Sequence, residues 1–127
     1  MKKTIIPKVM TGLYDDWKMS PGCEIDGFVF LTGFNGMGLN GEVSSDAETQ
    51  IHTAFDQVFS VLESAAMDAR HIVEVTSFHI GLKEHLSVFK AIWAERMCDP
   101  YPAWTAIEVA GFASEGVVVE MRVVAHR

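Results

Sequence analysis

The sequence predicts an α+β fold, a mixed β-sheet with two helices on one face. Runs of strand length at residues 28–33, 72–80, 104–110 and 117–125 are rich in apolar residues and set off by glycine, proline or polar turns. Residues 51–66 and 86–97 repeat apolar side chains at spacings of three and four, the mark of a helix with one buried stripe. The order is strands, helix, strand, helix, two strands. That order suggests a right-handed crossover onto one sheet and places both helices on the same side.

Residues 1–10 read as a short first strand, held to a sheet edge by Pro7. Residues 11–22 carry Gly12, Trp17, Ser20 and Pro21 and read as an irregular loop or weak strand. The adjacent Asp15 and Asp16 have no third ligand at a useful spacing, so they read as a solvated turn and not a metal site. The run Phe-Val-Phe-Leu-Thr-Gly at 28–33 reads as a strand buried on both faces. Residues 34–45 hold the Asn35-Gly36 and Asn40-Gly41 pairs and read as a loop. Gly36, Gly38 and Gly41 spell GxGxxG, but a dinucleotide fingerprint runs straight into its helix, and here the helix signal waits until Ser45.

Ser45 with Glu48 three residues later reads as a capping box opening the first helix. Ile51, Phe55, Val58, Leu62 and Ala66 form its stripe, Phe59 and Val61 broaden it, and Gln50, Asp56, Gln57 and Glu63 take the other faces. In the strand at 72–80, Val73, Val75, Ser77 and His79 alternate with Ile72, Glu74, Thr76, Phe78 and Ile80. The second helix, 84–97, turns Leu86, Phe89, Ile92, Trp93 and Met97 inward, and Asp99-Pro100 and Tyr101-Pro102 prevent its continuation. Residues 102–121 read as the last hairpin, two apolar runs flanking Gly111 to Gly116. With both helices on one face, the other face presents Val and Phe, and a second subunit is its simplest cover.

A chain of 127 residues suits one domain, 1–127. Its 49% hydrophobic content permits a full core and hints at a buried subunit interface. A formal net charge of −7 argues against nucleic acid and against a basic membrane-surface helix. No apolar run reaches the ~18 residues of a membrane span, so no membrane partner is expected. The N-terminal apolar stretch is broken by Pro7 and Lys8, too soon for a signal peptide. Cys23 and Cys98 sit in neither a disulfide framework nor a metal spacing, which points to a cytoplasmic setting, with no metal and no cofactor motif.

One local pattern stands out. Pro102-Ala103, a strand, a loop, then Val119-Glu120-Met121 resembles the signature of the Rid (YjgF) family, whose best-known members are enamine/imine deaminases. The signature runs Pro-Ala-Arg, strand, loop, apolar-Glu-apolar. The apolar strand ending Thr32-Gly33, the helix from Ser45, the turn at 68–72 and Trp93-Ala94-Glu95 fall in register with it too, so the resemblance covers most of the chain after Lys18. It implies a chorismate-mutase-like fold and a homotrimer with a small-molecule ligand cleft at each subunit interface.

The resemblance also implies a site. Glu120 matches the Glu that places the hydrolytic water. The family Arg that forks a substrate carboxylate is here Trp104, an aromatic of its Gly-Pro-Tyr-Ser motif falls on Met19, and a frequent Asn of the second helix falls on Lys90. With Arg replaced, efficient deamination of 2-aminoacrylate is not expected. The site residues are therefore Glu120 as the catalytic carboxylate, with Trp104, Met19, Arg122 and Lys90 around the substrate. Arg122 shares a strand face with Glu120 and is either an ion-pair partner or a relocated carboxylate anchor. His126 shares that face too and invites an acid–base pair, or is an ordinary strand-end histidine. Two functions follow: hydrolysis of a C=N bond with altered specificity, or a non-catalytic trimeric module that binds a ligand or protein.

Overall fold

A computed structural model describes all 127 residues, Met1–Arg127. Strand β1 (Lys3–Ile5) forms one edge of the sheet, as Pro7 implies, and a short helix α1 (Thr11–Asp15) takes the first part of the expected loop. Strands β2 (Gly22–Ile25) and β3 (Phe28–Leu31) form a hairpin whose turn, Asp26-Gly27, has both φ angles positive, the geometry that suits the twist of paired strands. Then come β4 (Phe34–Asn35), helix α2 (Ala47–Ser64), β5 (Ile72–His79), helix α3 (Leu82–Arg96), β6 (Ala103–Glu108) and β7 (Val119–His126). The sheet order is β1-β2-β3-β7-β5-β6, and β4 pairs with β7 along the edge that β3 also uses.

The α+β mixed sheet is as predicted, but residues 102–121 do not form a hairpin. Strand β6 lies parallel to β5 and β7 antiparallel to β5, so β5 separates them. The physical reason is α3. A crossover helix returns the chain parallel to the strand it left, so β6 takes one edge of β5 and leaves the other to β7.

The core lies between the sheet and the helices. Ile51, Phe55, Val58, Val61 and Leu62 of α2 and Phe89, Ile92 and Trp93 of α3 pack on Val29, Leu31, Val75, Val119, Met121, Val123 and Ala125. Strand β3 is buried on one face only: Phe28 and Phe30, each 40% exposed, point away from the helices. Ile25, Val73 and Ile107 are exposed as well, so the sheet's other side is open and largely apolar.

Several local expectations shift. The α2 cap is Asp46, whose carboxylate accepts from the Thr49 N–H at 3.2 Å, one residue past Ser45. Ala66 lies beyond the helix with positive φ. Gln50 and Gln57 are buried, because their amides tie the glycine-rich loop to α2: Gln50 Nε2 donates to Ser44 O and Gly116 O, and its Oε1 accepts from Val118 N–H. Gly36 packs so closely on the Gln50 side chain that a Cβ there would clash with its amide. A β-bulge between Ile72 and Glu74 turns Ile72 inward and Val73 outward. On α3, His85 is buried where Leu86 was expected.

Candidate functional site

Along β7 the odd-numbered residues face the helices and the even-numbered ones the open side. Glu120 is thereby set on the open side, opposite Asn35 of β4 and Phe78 of β5. Thr32 and Gly33 interrupt the strand between β3 and β4. A Cβ at Gly33 would stand 2.6 Å from Glu120 Oε2, so the bare glycine is what lets the carboxylate lie against the chain. Glu120 is half-buried, and burial raises its carboxyl above the usual range, with no cation or hydrogen-bond donor pulling it back.

Around this carboxylate opens a cavity of about 510 Å³, a size suited to a small molecule. Leu13, Trp17 and Met19 wall it from the N-terminal segment, Phe34 and Met37 from the strand and loop after Gly33, Gln57 from α2, and Ser114 from the loop before β7. Met19 is fixed by Thr32, whose Oγ1 donates to its sulfur at 3.5 Å. Met19 and Glu120 therefore share one cleft.

Trp104 does not join them within one chain. It pairs in register with Val75, whereas Glu120 pairs with Phe78, so the two side chains leave opposite faces of the sheet. Its indole lies on the helix side, stacked on Trp93 with ring centroids 4.7 Å apart and on Phe89 at 5.2 Å. Its Nε1 donates to Ser77 Oγ at 2.8 Å. Ser77 Oγ lies 2.7 Å from His79 Nε2, and His79 Nδ1 lies 2.9 Å from His85 Nε2. An indole N–H can only donate, so Ser77 Oγ accepts it; the hydroxyl keeps a proton and a second lone pair, and the tautomers of His79 and His85 set which way the next two bonds run. Burial lowers both imidazoles, His79 to about 4, and each is neutral at pH 7.

The remaining expected residues stand apart. Lys90 is exposed on α3, away from the cleft lining. Arg122 is exposed on the open side and forms no ion pair with Glu120. His126 is six residues along β7 from Glu120, about 20 Å at the rise of a strand, which is too far for an acid–base pair. Its ring packs on Phe28 at 4.4 Å instead.

Comparison with known proteins places the chain. The family model described as Endoribonuclease L-PSP matches residues 17–127. The chain belongs to this family, the Rid/YjgF family. It is 27% identical over 126 residues to the RutC family protein YjgH of Escherichia coli (strain K12), covering 98% of this chain and 95% of the relative. A solved structure of protein YJGH superposes with a TM-score of 0.87 over 98% of this chain and 95% of that one, at 27% identity. The crystal structure of RidA from an Antarctic Psychrobacter shares the fold, with a TM-score of 0.79 at 21% identity over 86% of this chain and 88% of that one.

Of the residues that the resemblance to the Rid signature singles out, Glu120 and Met19 line the cleft, while Trp104 sits in a partly buried aromatic stack. Sequence reasoning missed the stack's polar lining, Ser77, His79 and His85. The signal was available in part, since Ser77 and His79 alternate with Val75 on one strand face and so share its burial. Trp17 was also passed over as a loop residue, although it is 74% exposed at the cleft mouth.

Proposed function

We propose that this chain binds a small molecule in a cleft completed at the interface of a homotrimer and hydrolyses a C=N bond there, with a specificity shifted away from amino-acid-derived enamines. The observation that carries the reading is Glu120: a half-buried carboxylate with no internal partner, facing a cavity of ligand size. Such a group is a poor structural element and a useful base. Water adds to the carbon of the C=N bond while Glu120 takes its proton. That proton passes to nitrogen and gives a carbinolamine; the carbinol hydroxyl's proton then moves to nitrogen as well, and as the carbonyl forms the C–N bond breaks and ammonia leaves.

The open apolar sheet face supports the oligomer, because Phe28, Phe30 and Ile107 are poor partners for water. Strand β6 is an edge strand, so the Trp104 stack lies at the rim of the sheet. In a homotrimer, that rim on one subunit and the Glu120 cleft on the next form the two halves of a site. The description Endoribonuclease L-PSP points to RNA, but a net charge of −7 and an acid at the cleft floor repel a phosphate backbone.

The test is a coupled deaminase assay on 2-aminoacrylate and on a longer, more apolar 2-imino acid, with Trp104→Arg beside the natural chain. The natural chain is expected to be slow on 2-aminoacrylate and Trp104→Arg to gain on it. Turnover of 2-aminoacrylate by the natural chain at the rate of an Arg-bearing family member would refute the shifted specificity. Any activity found must disappear in Glu120→Gln. Ligand binding that survives that change, with no turnover of any C=N substrate, would instead favour a non-catalytic binding module.

A further inference from the structure

Helix α2 buries two amides beside its apolar stripe. Gln50 and Gln57 lie seven residues apart, two turns along one face, and are 1% and 9% exposed. A buried amide is costly unless its polar atoms are bonded, and these two bond mostly to backbone outside the helix. Gln50 Nε2 donates to Ser44 O and Gly116 O, both at 2.8 Å, and its Oε1 accepts from Val118 N–H at 2.9 Å. Gln57 Nε2 donates to Asn35 O at 3.0 Å and Met37 O at 3.2 Å, and to Thr53 O of its own helix at 3.2 Å.

The segments so held flank Glu120. Asn35 pairs with Glu120 across β4 and β7, and the Gly36 N–H donates to Val119 O at 3.0 Å. Val118 lies two residues before Glu120, just ahead of β7. Met37 and Leu39 continue from the first segment as cleft wall, and Ala113 and Ser114 lead into the second. Both amides are enclosed within the chain itself, so a neighbouring subunit adds surface to the cleft without reaching these bonds. We propose that Gln50 and Gln57 are positioning residues, which clamp the backbone on either side of Glu120 to α2 and so fix where the carboxylate stands. This rests on the cleft being the reaction site and adds what keeps its carboxylate in place. A methionine would fill a similar volume in the core but would release both segments, and a misplacement of about 1 Å can cost a reaction roughly a hundredfold.

The test compares Gln57→Met and Gln50→Met with Ile72→Ala, a core truncation at the far end of β5, six positions from the Phe78 that pairs with Glu120. In the assembled full-length chain, carbon-13 NMR follows the titration of the Glu120 carboxyl, identified by its loss in Glu120→Gln. In Gln57→Met its midpoint is expected to move towards the ordinary 4.5, from whichever side the assembled cleft holds it, because a loosened wall admits water. Ile72→Ala should lower the melting temperature at least as far and leave that midpoint in place. Turnover of the 2-imino acids should fall roughly tenfold or more in kcat in Gln57→Met, with KM changed less. Gln50→Met should act in the same direction, and Gln57→Met, the less buried of the two, decides the matter if Gln50→Met does not fold. The titration reads the clamp whether or not either imine is turned over. A midpoint and a kcat that stay in place in the glutamine variants, or that move equally in Ile72→Ala, would overturn the positioning role. A midpoint that moves in the glutamine variants alone, while Glu120→Gln leaves turnover intact, would uphold the clamp and take the reaction away from this carboxylate.

Discussion

Two groups of polar side chains sit on opposite faces of one sheet. On the helix face, Trp104, Ser77, His79 and His85 form a continuous chain of hydrogen bonds that begins at the indole N–H. On the open face, Glu120 has burial without a partner. The contrast separates two uses of buried polarity. A satisfied network stabilises and specifies the core around it, whereas an unsatisfied carboxylate is a cost that the rest of the fold carries. The comparison predicts that substitutions on the two faces will have opposite signs.

The largest expected effect is on the helix face. His79 is fully buried, bonded at both ring nitrogens and packed edge-on against Phe89 at 5.0 Å. His79→Ala opens a cavity and takes one hydrogen-bond partner each from Ser77 and His85, and should cost about 2–5 kcal/mol by urea unfolding. A loss below about 1 kcal/mol would mean that the network is incidental and the contrast misdrawn.

The same network predicts a pH response. His79 is held near 4 from an ordinary 6.5, mainly by burial and next by His85, and His85 is lowered by burial as well. The unfolded chain therefore binds protons below about pH 6.5 that the folded chain refuses, so stability falls as pH drops from about 6.5 towards 4. The lowered carboxylates Glu24 and Glu108 also lose stability on acidification, but only as pH falls below their ordinary 4.5. Melting temperatures measured between pH 7 and 5 thus read the histidines against an opposite contribution from Glu120, whose raised carboxyl makes its ionised form a cost above its ordinary 4.5. His79→Leu should flatten the slope in that window, and an unchanged slope would assign it elsewhere.

The periodic parts of the chain were legible in the sequence. The stripes of α2 and α3 and the alternation of β7 need only local spacing, so the α+β class and the open apolar face followed from them. What failed was non-local. Whether residues 103–108 and 119–126 pair with each other or with β5 is decided by the α3 crossover, which no local pattern encodes. The bulge at Ile72/Glu74 swaps two side chains between faces, and two buried glutamines look like surface residues until the loop carbonyls they bind are in place. The site was legible at Glu120, because a carboxylate in an apolar run is conspicuous. It was not legible that Trp104 leaves the sheet on the other side, since that depends on register against β5.

The smallest effect is also the one that most sharpens the contrast. Glu120→Gln keeps the shape of the side chain and removes its charge. Because burial raises the folded-state pKa, the folded chain holds this proton more tightly than the unfolded chain does, so the ionised group costs stability once pH rises above its ordinary 4.5 and through the folded value. Removing the charge should therefore leave stability unchanged or raise it by up to about 1 kcal/mol at pH 7, with the gain fading in acid. Chemical unfolding at pH 7 and pH 4 reads both terms. A clear destabilisation at pH 7 would show that Glu120 is held by a partner the single chain does not contain, such as a cation from a neighbouring subunit. It would then belong with the satisfied groups of the helix face, and the unpartnered carboxylate would no longer mark a ligand site.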